Sequence, residues 1–212
     1  MQSSATFQPL LFHGPTSPPP GTGPAQSGIS FGLLTLILWL IFVVYWGISA
    51  IGVKKNVHGK NRWVRGVGFR IFLVVAVILL INFFGNYQTQ AVFGPAGQAI
   101  GVVLVAVGIA FAIWARRHLG TNWTGYPAMK ENHELVTSGP YSFVRHPIYT
   151  GMLLAVFGSA LVSGVIWLLF FIVFTIMFIW RIKVEEGFMM KLFPDVYPEY
   201  KKRTKALIPF VW

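Results

Sequence analysis

From Pro147 to Trp180 the sequence runs for 34 residues without one charged side chain. A membrane-spanning helix uses about 20 apolar residues, so this stretch is too long for one span and barely enough for two. Ser163-Gly164, near its middle, has turn chemistry and supports a tight helical hairpin. One long tilted helix is the competing reading.

Three earlier apolar runs have the same character. They cover about Ser30 to Val53, Ile71 to Tyr87 and Ala99 to Ala115. The second is short and borrows Val67 to Phe69 if Arg70 snorkels to the interface. The fold class expected is therefore all-α, a polytopic transmembrane helical bundle of about five spans whose last two form the hairpin. After Trp180, Phe188, Met189, Leu192, Phe193 and Tyr197 recur at helical spacing, which predicts a C-terminal amphipathic cytoplasmic helix along the membrane surface. Residues 1–28 lack Asp, Glu, Lys and Arg, are rich in Pro, Gly, Ser and Thr, and read as a flexible extracytoplasmic arm without the basic start of a secretory signal. The expected organisation is this arm, then residues 29–118 with helices 1–3, then residues 119–212 with the hairpin, the tail and the motifs.

Charge sets the orientation. Only 11% of residues are charged, against about 25% in soluble domains. With five spans, the 17 Lys and Arg residues fall as six in the first loop, four between Arg116 and Arg145, and seven after Trp180, all on one side. The positive-inside rule makes that side cytoplasmic and the N-terminus external; four spans would break the partition. The expected location is a bacterial inner membrane. The net charge of +11 suits anionic membrane lipids, so nucleic acid is not needed as a partner. The chain has no cysteine, which excludes disulfides, thiolate metal sites and a cysteine nucleophile.

The spans themselves hold almost no ionisable group, Asn82 being the most polar, which argues against an ion pump or coupled transporter. All six acidic residues and four of five histidines lie at the cytoplasmic boundary. In the segment Asn132 to Gly151, Gly139-Pro140 forms a turn and Pro147 suits the first turn of the next helix, placing Arg145 and His146 at its positive dipole end. The plainer account is a helix-capping loop with Arg145 on a lipid phosphate. His133-Glu134 opens like a zinc motif, but Thr137 stands where the second histidine belongs, so no metal site is read. Just after the last span, Arg181 and Glu185 sit four apart, fit for a local ion pair. Glu185-Glu186 could instead hold a cationic ligand group. A short hairpin turn would bring these two segments together into one cytoplasmic pocket.

The ordered set HELVTSGPYSFVRHPIYTG (His133 to Gly151), then Arg181 with Glu185-Glu186, then FPDVYPEYKKRTKALIPF (Phe193 to Phe210) resembles the isoprenylcysteine carboxyl methyltransferase family. That family is itself similar to phospholipid N-methyltransferases and bacterial membrane thiol methyltransferases. The resemblance covers about Leu119 to Phe210. It implies a catalytic region over residues 119–212 and S-adenosylmethionine as the cofactor. It further implies that His133, Leu135, Val136, Tyr141, His146 and Glu186 contact the cofactor. Arg181, Arg203 and Glu185 would serve the acceptor end or the chemistry. The substrate implied is a lipophilic small molecule or lipid, an isoprenylcysteine-like carboxylate or a thiol first and a phospholipid amine second. Methyl transfer from a sulfonium is an in-line displacement and needs positioning rather than a protein nucleophile. A non-catalytic lipid-binding scaffold explains the basic faces and apolar spans equally well, but not the order of the motifs.

Overall fold

The computed structural model describes residues 30–49, 93–123 and 135–212. The arm at 1–28 and the expected span from Ile71 to Tyr87 lie outside the described residues. Among those described there are five α-helices: α1 (Phe31–Ser49), α2 (Pro95–Leu119), α3 (Pro147–Ser163), α4 (Val165–Leu192) and α5 (Tyr197–Arg203). Three of them, α1, α2 and α4, are long and apolar enough to cross a membrane. The chain is an integral membrane protein with a helical bundle. At 17 residues, α3 is about 26 Å long, just under the usual hydrocarbon thickness.

The hairpin forms where turn chemistry placed it. Gly164 alone separates α3 from α4, with φ 92°, a backbone region that side-chain-bearing residues rarely adopt. Its N–H donates to Ala160 O at 3.0 Å and closes the end of α3.

The core of the bundle is the α2–α3 seam. Gly101 and Gly108 on α2 face Gly158 and Gly151 on α3, each pair seven residues apart along its helix. A Cβ built on Gly108 would lie 2.5 Å from Gly151 O, and one on Gly101 would lie 2.7 Å from Gly158 O. Small residues at this spacing let two backbones touch, the packing that lipid-embedded helices depend on. Helix α1 lies across the seam. Phe42 inserts among Val105, Ile109, Ala112 and Ala155, and Trp39 Nε1 donates to buried Ser159 Oγ at 3.0 Å. Arg116, buried at the end of α2, donates to Ser49 O at the end of α1 and to Gly120 O, and stacks 4.4 Å over the Trp123 ring. A guanidinium there caps two carbonyl-bearing helix ends at once.

The tail departs from expectation in one respect. No separate surface helix begins at Arg181: α4 continues unbroken to Leu192, about 18 Å past the last apolar span residue. The chain then turns back through Phe193 to Val196 into α5. From there residues 205–207 lie against the entrance to α3, where Arg145 N–H donates to Lys205 O at 2.8 Å and His146 N–H to Ala206 O at 3.0 Å. Thr150 Oγ1 adds a bond to Leu207 O at 2.7 Å. The helix persists because Arg181 and Glu185 pair along it, and nothing between Trp180 and Leu192 breaks it.

The glycine seam makes a direct prediction. Gly151→Ala forces α2 and α3 apart and lowers stability by about 1–3 kcal/mol, read as a fall in melting temperature in detergent. Gly187→Ala on α4, where a Cβ meets nothing within 4 Å among the described residues, leaves the melting temperature unchanged or raises it.

Candidate functional site

Three separate segments converge at the end of the hairpin: the loop before α3, the extension of α4, and α5. Pro140 and Tyr141 are buried in a short 3-10 turn (Gly139–Ser142). Gly139 begins it with φ +59°, and a Cβ there would strike the His118 ring at 2.7 Å. His118 Nε2 in turn lies 2.9 Å from Ser138 Oγ. The turn therefore needs glycine both for its backbone and for room. Tyr200 on α5 donates its hydroxyl to Tyr141 O at 2.6 Å. Burial pushes the Tyr200 phenol up to about 12 and raises that of Tyr141 further, so both hydroxyls stay protonated donors at physiological pH.

At the centre is Glu186, buried on α4. Its Oε1 accepts from Arg145 Nε at 2.7 Å and its Oε2 pairs with Lys201 Nζ at 2.6 Å. Arg145 also donates to the Thr204 and Lys201 carbonyls. His146 Nε2 lies 3.5 Å from Glu186 Oε1, within ion-pair reach, but it is buried without an aligned hydrogen bond. Beside this group is a second one. Arg181 Nε shares its proton between Glu185 Oε1 at 2.8 Å and Tyr149 OH at 2.7 Å, and Tyr149 donates to the same Glu185 oxygen at 2.7 Å. Glu185 Oε2 faces His146 Nδ1 at 3.7 Å, beyond hydrogen-bond length. The rings of His146 and Tyr149 stack at 5.6 Å and 5°, and Tyr149 stacks on Phe178 at 4.5 Å.

The expected site residues divide accordingly. Arg181, Glu185, Glu186 and His146 meet in one cluster. Tyr141 packs beside it with Ala115 and Ile148, and half-buried Val136 leans on that group along with Trp46, Trp123 and Tyr149. Leu135 precedes Val136 in a half-buried stretch outside any helix. His133 lies outside the described residues. Arg203 is exposed at the end of α5, and among the described residues no hydrogen bond or ion pair joins it to Glu185 or Glu186.

Arg145, singled out at the entrance to α3 but given no role toward cofactor or acceptor, belongs to the cluster, as do Tyr149 and Lys201, which were not candidates. Arg145 does not reach out to a lipid phosphate; it turns inward to Glu186. Tyr149 carried a usable signal, standing three residues after His146 on one helical face. Lys201 carried none, because its partner is fifteen residues away across a turn.

Comparison with known proteins identifies the family. The protein-S-isoprenylcysteine O-methyltransferase B of Arabidopsis thaliana is 36% identical over 190 residues, covering 85% of this chain and 95% of its own. The chain belongs to the isoprenylcysteine methyltransferase family. The Schizosaccharomyces pombe protein-S-isoprenylcysteine O-methyltransferase is 34% identical over 137 residues, and the match covers 62% of this chain and 54%, about half, of the fission-yeast protein. The methanethiol S-methyltransferase 1 of Bradyrhizobium diazoefficiens is 46% identical over a shorter 70 residues, 33% of this chain and 24% of its own. A family model described as phospholipid methyltransferase matches residues 96–196, which take in α2, the hairpin and the whole extension of α4.

Two substitutions separate structural from chemical parts of the cluster. Glu186→Ala leaves buried Arg145 without its carboxylate, beside half-exposed Lys201, and destabilises the protein by about 3 kcal/mol, seen as a lower melting temperature. Tyr149→Phe keeps the ring stack and loses only the hydroxyl bridge, at a cost of about 1 kcal/mol in the same measurement.

Proposed function

We propose that this family member transfers a methyl group from S-adenosylmethionine to an anionic, lipophilic acceptor, an isoprenylcysteine-like carboxylate or a thiolate, at the cytoplasmic face of the membrane. One observation carries the choice of acceptor. The cluster holds three cations, Arg145, Arg181 and Lys201, against two carboxylates, Glu185 and Glu186. It retains one positive charge before His146 is counted. A negative acceptor is drawn to such a site and a protonated phospholipid amine is repelled. The relatives' names point the same way, one to isoprenylcysteine and one to methanethiol.

The residues present fit the cofactor. Among the described residues His146 Nε2 is a buried polar atom without an aligned hydrogen bond, Glu185 Oε2 faces the His146 ring at 3.7 Å, and the His146–Tyr149 stack offers a flat aromatic face. Glu185 would hold the ammonium of the cofactor's amino acid end. His146, Tyr141, Leu135, Val136 and, from outside the described residues, His133 would line the remainder. When bound, the cofactor supplies an electrophilic methyl on a sulfonium.

The chain's own residues have three tasks. Arg181, fixed by Glu185 and Tyr149, presents a planar fork that can orient a carboxylate acceptor. For a carboxylate no proton moves; for a thiol, His146 is placed to take the proton. The apolar walls of Ala115, Ile148 and Val136 keep water from the transfer. Arg203, outside the cluster, would reach an acceptor only at the rim.

The test is a methyl-transfer assay with labelled S-adenosylmethionine on the detergent-purified protein. Three acceptors are offered: an N-acetylated S-prenylcysteine, an alkyl thiol and phosphatidylethanolamine. Transfer to the first or second, lost in His146→Ala and lowered about tenfold or more in Tyr149→Phe, is the expected outcome. Transfer to phosphatidylethanolamine alone would overturn the acceptor assignment. No cofactor binding by calorimetry to well-folded protein would remove the methyltransferase reading.

A further inference from the structure

The turn that follows residue 206 has features that neither the bundle nor the cluster uses. It is closed by its own backbone: Leu207 and Ile208 N–H donate to Trp212 O at 2.8 and 2.7 Å, and Val211 and Trp212 N–H return to Ile208 O at 3.1 Å. Its tip points away from the described protein. Phe210 is 95% exposed and Val211 69%. Phe210 also holds φ 66°, a conformation unfavourable for a bulky residue and found where the surroundings enforce it. Within the described residues this aromatic tip gains no packing in return.

Two further observations say what surrounds it. Exposed aromatic residues mark a level on the bundle: Trp114 lies just before Arg116-Arg117, Trp180 just before Arg181, and Phe143, two residues before Arg145, packs against Trp114 at 6.4 Å. Tryptophan beside basic residues is the signature of the membrane–water boundary. The turn hangs at this same end of the bundle, because Lys205 and Ala206 bond directly to Arg145 and His146. Around the tip, with Lys201 committed to Glu186, Lys202, Arg203 and Lys205 stand against Glu199 alone, an excess of two positive charges. Apolar tip and basic collar together match an anionic lipid surface.

We propose that the turn Ile208–Trp212 is an interfacial anchor, with Phe210 and Val211 entering the acyl boundary of an anionic leaflet and Lys202, Arg203 and Lys205 at its headgroups. The anchor holds residues 205–207 in place and through them the backbone at Arg145 and His146. It rests on the protein's membrane embedding and is independent of which acceptor is methylated.

The absence of cysteine makes the test direct. Phe210→Cys supplies a single thiol for a nitroxide label, and Lys202→Cys on α5 supplies a control. The full chain is placed in nanodiscs containing phosphatidylglycerol, and collision of the label with oxygen is compared with collision with a water-soluble nickel chelate. The label at 210 favours oxygen several-fold over the label at 202, and this preference weakens in phosphatidylcholine alone. A label at 210 as open to nickel as the control would overturn the anchor by placing the turn in water. A label shielded from both reagents would overturn it by placing protein over the tip. A preference unchanged in phosphatidylcholine would overturn the role given to the basic collar.

Discussion

The carboxylate of Glu186 is the point on which the site depends. It is buried near the end of a long helix, and its two oxygens are divided between Arg145 from the loop before α3 and Lys201 from α5. A charge in such a place is tolerated only when it is paired and hydrogen-bonded. Its pairing fixes how the three segments meet. Once Arg145 is held there, its neighbour His146 is placed between the two carboxylates. Tyr149, one turn into α3, then reaches Glu185 and Arg181. The charges form two hydrogen-bonded groups on either side of His146, so the geometry offered to a ligand is set by the protein before any ligand arrives.

Below the cluster the bundle supplies rigidity of another kind. The α2–α3 seam has no ionisable group and is held by backbone contact at four glycines. The single glycine of the hairpin leaves α3 and α4 almost no freedom to shift in register. Movement at the boundary is thereby confined to what the loops and the tail allow, which suits the proposed passage of a water-soluble cofactor and a substrate from the bilayer.

Much of this was legible in the sequence, for identifiable reasons. Long uncharged runs and one Ser-Gly pair were enough to place α1, α2 and the α3–α4 hairpin, because the lipid environment permits few alternatives. The helical pair Arg181 and Glu185 was legible because it is local. For Arg145 the sequence left a lipid phosphate and a pocket at the entrance to α3 equally open, since the partner that draws it inward is 41 residues away. Lys201 and the 205–207 backbone contacts escaped for the same reason: they arise from tertiary return of the chain and leave no periodic trace. The continuation of α4 past Trp180 was also missed, since an amphipathic pattern does not reveal whether a helix lies on the membrane or stands out from it.

The pairing of residues 144–146 with 205–207 has a consequence for how the protein is made. The bundle up to the hairpin can enter the membrane as it leaves the ribosome, since its contacts are already within the chain synthesised by then. The cluster cannot form at that stage. Arg145 and His146 receive their backbone partners only when roughly sixty further residues have been added and folded back, a loop that closes late, and Glu186 its lysine only when α5 has followed α4. A chain interrupted before Lys201 would therefore be inserted and helical, yet Glu186 would lack its lysine and Arg145 the Lys201 and Thr204 carbonyls that hold it. Assembly of the site reports that synthesis has passed through α5.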